Sequence, residues 1–238
     1  MRVVRSLLAL ALALAVTLPM GLRAEEPAHY TFSPAPPGTV TQSVMLYMAG
    51  QAMHSQWRAI ASKKLVGTST GTKFYQWYIS IYQIDNTTYT LRYQSPINGG
   101  PLDKVTKASG GRMWFPMQEA TIVGAGEFAV QSVDQLVVSS HQTGADCGAA
   151  TITVFGYNPR NNKVTRNVTV DNGCSLTAKI VRGADGANDS LRLTGPYYDK
   201  TAAMCCPTKP SASAALKYVN GKWLQSPAYY TLTQGKPI

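Results

Sequence analysis

Phe74-Tyr75-Gln76-Trp77-Tyr78-Ile79-Ser80-Ile81-Tyr82-Gln83-Ile84 is the stretch whose pattern decides the fold class. Taken alternately, Tyr75, Trp77, Ile79 and Ile81 share one face, and Phe74, Gln76, Tyr78, Ser80 and Tyr82 share the other. Successive side chains of a strand point to opposite faces, so the first set, wholly apolar or aromatic, is expected to face a core. Tyr89 to Tyr93 reads as the partner strand, joined across Asp85-Asn86-Thr87-Thr88.

The same reading extends along the chain. Thr121-Ile122-Val123 is a short apolar piece stopped by Gly124-Ala125-Gly126, and Gln135 to Ser140 reads as a short buried strand. Ala149 to Tyr157 and Val164 to Val170 flank a turn at Asn158–Asn162. Leu176 to Val181 and Ser190 to Thr194 flank a second turn at residues 183–188. Ala214 to Val219 and Lys222-Trp223-Leu224 form a hairpin across Asn220-Gly221, a pair suited to turn positions that need positive φ. Charged residues make up only 14% of the chain and Thr, Tyr, Val and Gly are abundant, a β-rich composition. One helix is expected, over Thr41–Ser62, where Val44, Met45, Met48, Met53, Trp57, Ile60 and Ala61 recur at roughly helical spacing. Thr39 or Thr41 would cap it and Gly50 would divide it. The expected fold is therefore mainly β within an α+β class: an antiparallel meander or sandwich with one N-terminal helix and a disulfide-stapled C-terminal half.

The N-terminus reads as a secretory signal over residues 1–24. Arg2 and Arg5 precede the apolar run Leu7–Val16, and Ala24 suits the cleavage position. That run is too short to span a bilayer, and no other segment approaches the roughly 20 apolar residues a spanning helix needs. A secreted or periplasmic protein with oxidised cysteines is the expectation. Residues 25–38, with Pro27, Pro34, Pro36 and Pro37, are expected to stay out of any ladder as an extended, mobile leader. Residues 39–130 then carry the helix and first hairpin, and 131–238 the cysteines, either as one domain or as two. Removing Arg2, Arg5 and Arg23 from the 22 basic residues leaves 19 against 12 acidic ones, a charge of +7. Such a surface favours an anionic cell-envelope polymer or lipid surface. The basic residues are scattered rather than interleaved with aromatics, which argues against nucleic acid.

Cys147, Cys174, Cys205 and Cys206 permit three pairings. A turn centred in Asn158–Asn162 sets Val168 opposite Val154 and Val170 opposite Ile152. Cys147 and Cys174 are then one residue out of opposition, which a bulge at Gly148 or Gly173 would correct. That favours Cys147–Cys174, with Cys205 and Cys206 as a vicinal ring. The alternatives, in which each of the adjacent pair bridges to Cys147 or Cys174, stay open. Met204-Cys205-Cys206 also supports a different reading, a thiol-redox or soft-metal (copper) protein, since strained bridges are labile and thiolates suit Cu(I).

No nucleophile elbow, phosphate loop or dinucleotide fingerprint occurs, and the carboxylates are few and dispersed. No catalytic residue, cofactor or metal site is therefore assigned. His29 and His54 have no patterned partner; His141, Asp146 and Cys147 match no ligand or nucleophile spacing and read as a polar turn. Asp185–Asp189 lacks the alternating oxygens of a calcium loop and also reads as a turn. Tyr197, Tyr198 and Tyr229 lie near the cysteine loop in sequence and are the candidate ligand-binding residues, an aromatic rim; Trp223 is assigned to the core.

The stretch Leu191–Trp223 resembles the LppP/LprE family of bacterial envelope lipoproteins. The likeness lies in Tyr197 or Tyr198, Cys205-Cys206-Pro207-Thr208, Lys217-Tyr218 and Gly221, with a looser fit over Leu136–Ala150. The resemblance implies an envelope setting and no catalytic mechanism. The lipobox cysteine of that family is missing, so acylation is not carried over. The leading expectation is a non-enzymatic, envelope-associated accessory or binding protein.

Overall fold

The computed structural model describes residues 30–49, 56–69, 71–85, 87–96, 117–143, 149–184, 188–199 and 207–235. The signal segment 1–24, Cys147, Cys205 and Cys206 lie outside them. The described chain forms three sheets stacked as layers, with no helix among the described residues.

The first sheet contains β1 (Thr31–Ser33), β2 (Thr39–Leu46), β3 (Trp57–Ser69), β4 (Thr72–Asp85) and β5 (Thr88–Pro96), in the order β1-β5-β4-β3-β2. The middle sheet contains β6 (Met117–Gly126), β7 (Gln135–Thr143), β8 (Ala150–Asn158), β9 (Lys163–Asn172) and β14 (Thr231–Gln234), in the order β14-β9-β8-β7-β6. The third holds β10 (Thr177–Val181), β11 (Ser190–Tyr197), β12 (Lys209–Val219) and β13 (Lys222–Ser226), in chain order. All pairings are antiparallel except β1 with β5.

The middle sheet is covered on both faces because its strands carry apolar residues at successive positions. Leu136, Val138, Phe155 and Val164 pack against Trp57, Ala59, Ile79 and Ile81 of the first sheet. Val137, Ile152, Val154, Val168 and Val170 pack against Leu191, Leu193, Leu216 and Trp223 of the third. Bulges let single strands serve both cores. In β9 the ladder shifts between Val154 and Phe155 of its partner, leaving Asn167 as the extra residue. Val164 therefore faces the first sheet while Val168 and Val170 face the third, although all three numbers are even. The expected register of Val154 with Val168 and Ile152 with Val170 is present, as is the Asn220-Gly221 turn, with φ of 49° and 81°. Ile79 and Ile81 are fully buried, as their alternation predicts.

Two expectations are overturned. The segment assigned to a helix instead forms β2 and the start of β3, paired as Val44 with Ala59 and Leu46 with Trp57. Its apolar residues include a two-residue alternation, Val44 and Leu46, then Trp57, Ala59 and Ala61, whose burial against the middle sheet outweighs the helical spacing. Gly50 and Met53 lie outside the described residues. The described part of the proline-rich segment, residues 30–38, is not a free leader either. Thr31–Ser33 pairs with Thr88–Thr90, Phe32 stacks on Tyr89 at 4.5 Å, and the Tyr82 hydroxyl donates to the Pro34 carbonyl at 3.0 Å. Proline lacks an N–H but keeps its carbonyl, so the segment straps the outer face of the first sheet through acceptors and rings.

Glutamine side chains finish two ladder edges. Gln42 Oε1 accepts from the Ile122 amide on β6, and the Gln234 amide group bonds both the N–H and the C=O of Trp223 on β13. These contacts occupy backbone groups that would otherwise recruit another strand.

Because Leu136 is fully buried between the first and middle sheets, Leu136→Ala should destabilise by about 2–5 kcal/mol in denaturant titration. Val137→Ala should destabilise from the opposite face of the same strand. A change within about 0.5 kcal/mol for either, the scale of ordinary surface substitutions, would contradict the two-sided core.

Candidate functional site

The chain crosses between the middle and third sheets twice, from β9 to β10 through Gly173–Leu176 and from β13 to β14 through Pro227–Tyr230. Both crossings meet the end of β11. Asn172 Nδ2 donates to the Ser175 carbonyl at 3.1 Å and to the Pro196 carbonyl at 3.0 Å. A Cβ on Gly195 would lie 2.5 Å from the Ser175 carbonyl oxygen, so only glycine lets the crossing pass this close. Tyr230, buried, donates to the carbonyls of Gly195 and Ala212. Burial pushes its hydroxyl above the usual phenol range.

This frame positions the rim. Tyr197 and Tyr229 face each other with ring centroids 4.8 Å apart and planes at 45°. Lys209, opposite Tyr197 in the ladder, places its ammonium 2.8 Å from the Tyr229 hydroxyl and 4.8 Å from that ring's centroid. The phenol thus accepts from a cation while its ring face is polarised by the same charge. Tyr198 turns to Cys174 instead, its hydroxyl donating to Sγ at 3.0 Å. All three tyrosines are half-buried. Of the expected rim residues, Tyr197 and Tyr229 are brought together and Tyr198 is set against the cysteine. Trp223 is in the core. Lys209 was not singled out from sequence; only the pairing of β11 with β12, shifted by the irregularity at Gly195–Tyr197, brings it there.

Cys174 is buried at the first crossing and its sulfur is disulfide-bonded. The other half lies outside the described residues, so neither the Cys147–Cys174 pairing nor the Cys205–Cys206 ring is placed. Of the histidine group, His141 Nε2 lies 3.8 Å from Glu119 Oε2, while Asp146, Cys147, His29 and His54 lie outside the described residues. Among the described residues no three of His, Cys, Asp and Glu gather as a metal site. No helix among them is long and apolar enough to cross a membrane.

A second polar node, unforeseen in the sequence, is Asp189. It is buried and accepts from the amides of Glu127 at 2.9 Å and Gly183 at 3.0 Å and from Arg182 Nη1 at 2.6 Å. Burial pushes its carboxyl up, but the two amides and the guanidinium together hold it below the usual carboxylate range. It ties the loop after β6 to the turn between β10 and β11, a structural role.

No family model, no curated protein and no solved structure matches the chain.

A carboxyl depressed in the folded state contributes stability that is full above its unfolded range and is lost as pH falls through its folded value. Asp189→Asn should therefore destabilise by roughly 1–3 kcal/mol at neutral pH, where charged acceptors are lost. The gap should narrow below about pH 4, where unfolded aspartate titrates. Urea titrations across pH 2–7 would check it, and a gap constant down to roughly pH 2 would contradict the assignment.

Proposed function

We propose that this is an exported, envelope-associated accessory or binding protein, non-enzymatic, whose specific contacts are made by the rim of Tyr197, Tyr229 and Lys209. The observation that carries the reading is the convergence of two half-buried tyrosine rings and an ammonium from β11, the β13–β14 crossing and β12. Half-buried aromatics lose little rotamer freedom on binding and offer both an apolar face and a hydroxyl. The ammonium adds attraction for an anionic group, in keeping with the expected charge of +7 after loss of residues 1–24. Envelope polymers and lipid headgroups supply such groups, and the likeness of Leu191–Trp223 to envelope lipoproteins suggests the same compartment.

Pull-down of the mature protein on purified envelope polymers and on anionic vesicles, at low and high salt, tests the reading. Binding should weaken with salt, since exposed charges are screened over about 8–10 Å at physiological ionic strength. It should also be largely lost in Tyr197→Ala/Tyr229→Ala. Retained, salt-indifferent binding in that variant would overturn the rim assignment. Absence of any binding together with a thiol pair released by mild reductant would favour the redox or copper reading of Met204-Cys205-Cys206.

A further inference from the structure

The third sheet turns one face to the core, and among the described residues no strand packs on the other. Leu191, Leu193, Ala214, Leu216 and Trp223 are buried inward, so the alternate residues of each strand point outward. Its four strands contain no aspartate or glutamate. The outward set includes an exposed cation from every strand, Lys179 on β10, Arg192 on β11, Lys217 on β12 and Lys222 on β13; the other exposed cation of β12, Lys209, is the one bonded to Tyr229.

The register arranges these four in a line. Lys179 is directly opposite Arg192, and Arg192 is opposite Ala215. Lys217 lies two residues beyond Ala215 on the same face and is opposite Leu224; Lys222, two residues from Leu224, is opposite Val219. With strands about 4.8 Å apart and about 7 Å between same-face neighbours, the band runs diagonally for about 20 Å. None of the four has a carboxylate within ion-pair distance among the described residues. The band flanks a depression of about 160 Å³ whose walls include Ser190, Arg192, Ser213 and Ala215.

We propose that this face is a docking surface for a linear acidic polysaccharide, its carboxylates read by Lys179, Arg192, Lys217 and Lys222. The inference rests on the anionic-envelope reading above and names a partner class and a surface distinct from the tyrosine rim. Charge complementarity carries it: four cations in line, with no carboxylate beside them among the described residues and no acid on the sheet's strands, attract a chain of regularly spaced negative charge. The chemistry between the cations selects the class. Thr177, Thr194 and Ser213 form a row of hydroxyls beside Lys179 and Arg192, with Ser190 next along β11, suited to sugar hydroxyls, while the exposed Leu224 and Val219 are the apolar neighbours of Lys217 and Lys222. Among these four cations no aromatic side chain points outward, since Tyr218 and Trp223 pack into the core and the Tyr197–Tyr229 pair lies at the Lys209 end of the sheet. Single-stranded nucleic acid would want stacking rings, and a bilayer interface would want Trp or Tyr beside the lysines.

The test uses the mature protein with polygalacturonate as probe, neutral dextran as control and phosphatidylglycerol vesicles as the lipid arm. Arg192→Gln/Lys217→Gln changes only exposed side chains, and Tyr197→Ala/Tyr229→Ala serves as the rim variant. Polygalacturonate should bind, dextran should not, and the band variant should bind about tenfold more weakly at low salt. On polygalacturonate, rim-variant binding should fall less than band-variant binding, whereas the rim's own loss is read on the purified envelope polymers. Equal affinity in the band variant and the wild type would overturn the surface while leaving the rim reading intact, as would binding to vesicles but not to polygalacturonate. Failure to bind any anionic probe would overturn both.

Discussion

Burial of the middle sheet on both faces is the constraint on which the other elements depend. Leu136-Val137-Val138 places apolar side chains alternately toward two different cores, and Val154-Phe155 does the same one strand over. Neither face can be left in water at about 25 cal/mol per Å² of apolar surface, so a second and a third sheet are required to cover them. The third sheet then carries the one-sided alternation of half-covered β structure, with buried inward residues and a basic outer face, whereas the first sheet also buries Ile60, Tyr82 and Tyr89 on its outer side under the segment around Phe32. The bulge at Asn167 and the irregularity at Val123 are where single strands change allegiance between cores.

That layering also creates the candidate site. A chain that must move between the middle and third layers crosses at the sheet ends, and both described crossings meet at Gly195–Tyr197. Backbone polar groups that leave a ladder there are met by Asn172 and Tyr230, which fixes the neighbouring tyrosines. The buried, disulfide-bonded Cys174 lies at the same junction, under the Tyr198 hydroxyl. Rim and cationic band thus belong to one sheet but to different faces of its chemistry, one aromatic and rigid, the other charged and flat.

Local signals account for what was legible. The pairing of β8 with β9 and the β12–β13 turn follow from short-range alternation and from Asn-Gly, both of which act within a hairpin. Thr41–Ser62 misled because methionines and small residues satisfy a helical spacing as readily as a strand's. Only the cover supplied by Leu136 and Ile122, far along the chain, decides between them. Tyr197 and Tyr229 were recognisable as exposed-type aromatics near the cysteines, whereas Lys209 reaches them through a shifted ladder. Asp189 escaped notice because its amide partners on Glu127 and Gly183 have no side-chain signature. The band of Lys179, Arg192, Lys217 and Lys222 reads as scattered single charges until four strands are laid side by side.

Native-state hydrogen exchange tests the layered account most directly. Amides of β8, paired on both sides and covered on both faces, should exchange only through global unfolding, more slowly than those of the edge strands β1 and β10. Exchange in β8 as fast as in β1 and β10, or protection centred on the first sheet alone, would contradict a middle sheet that organises the other two.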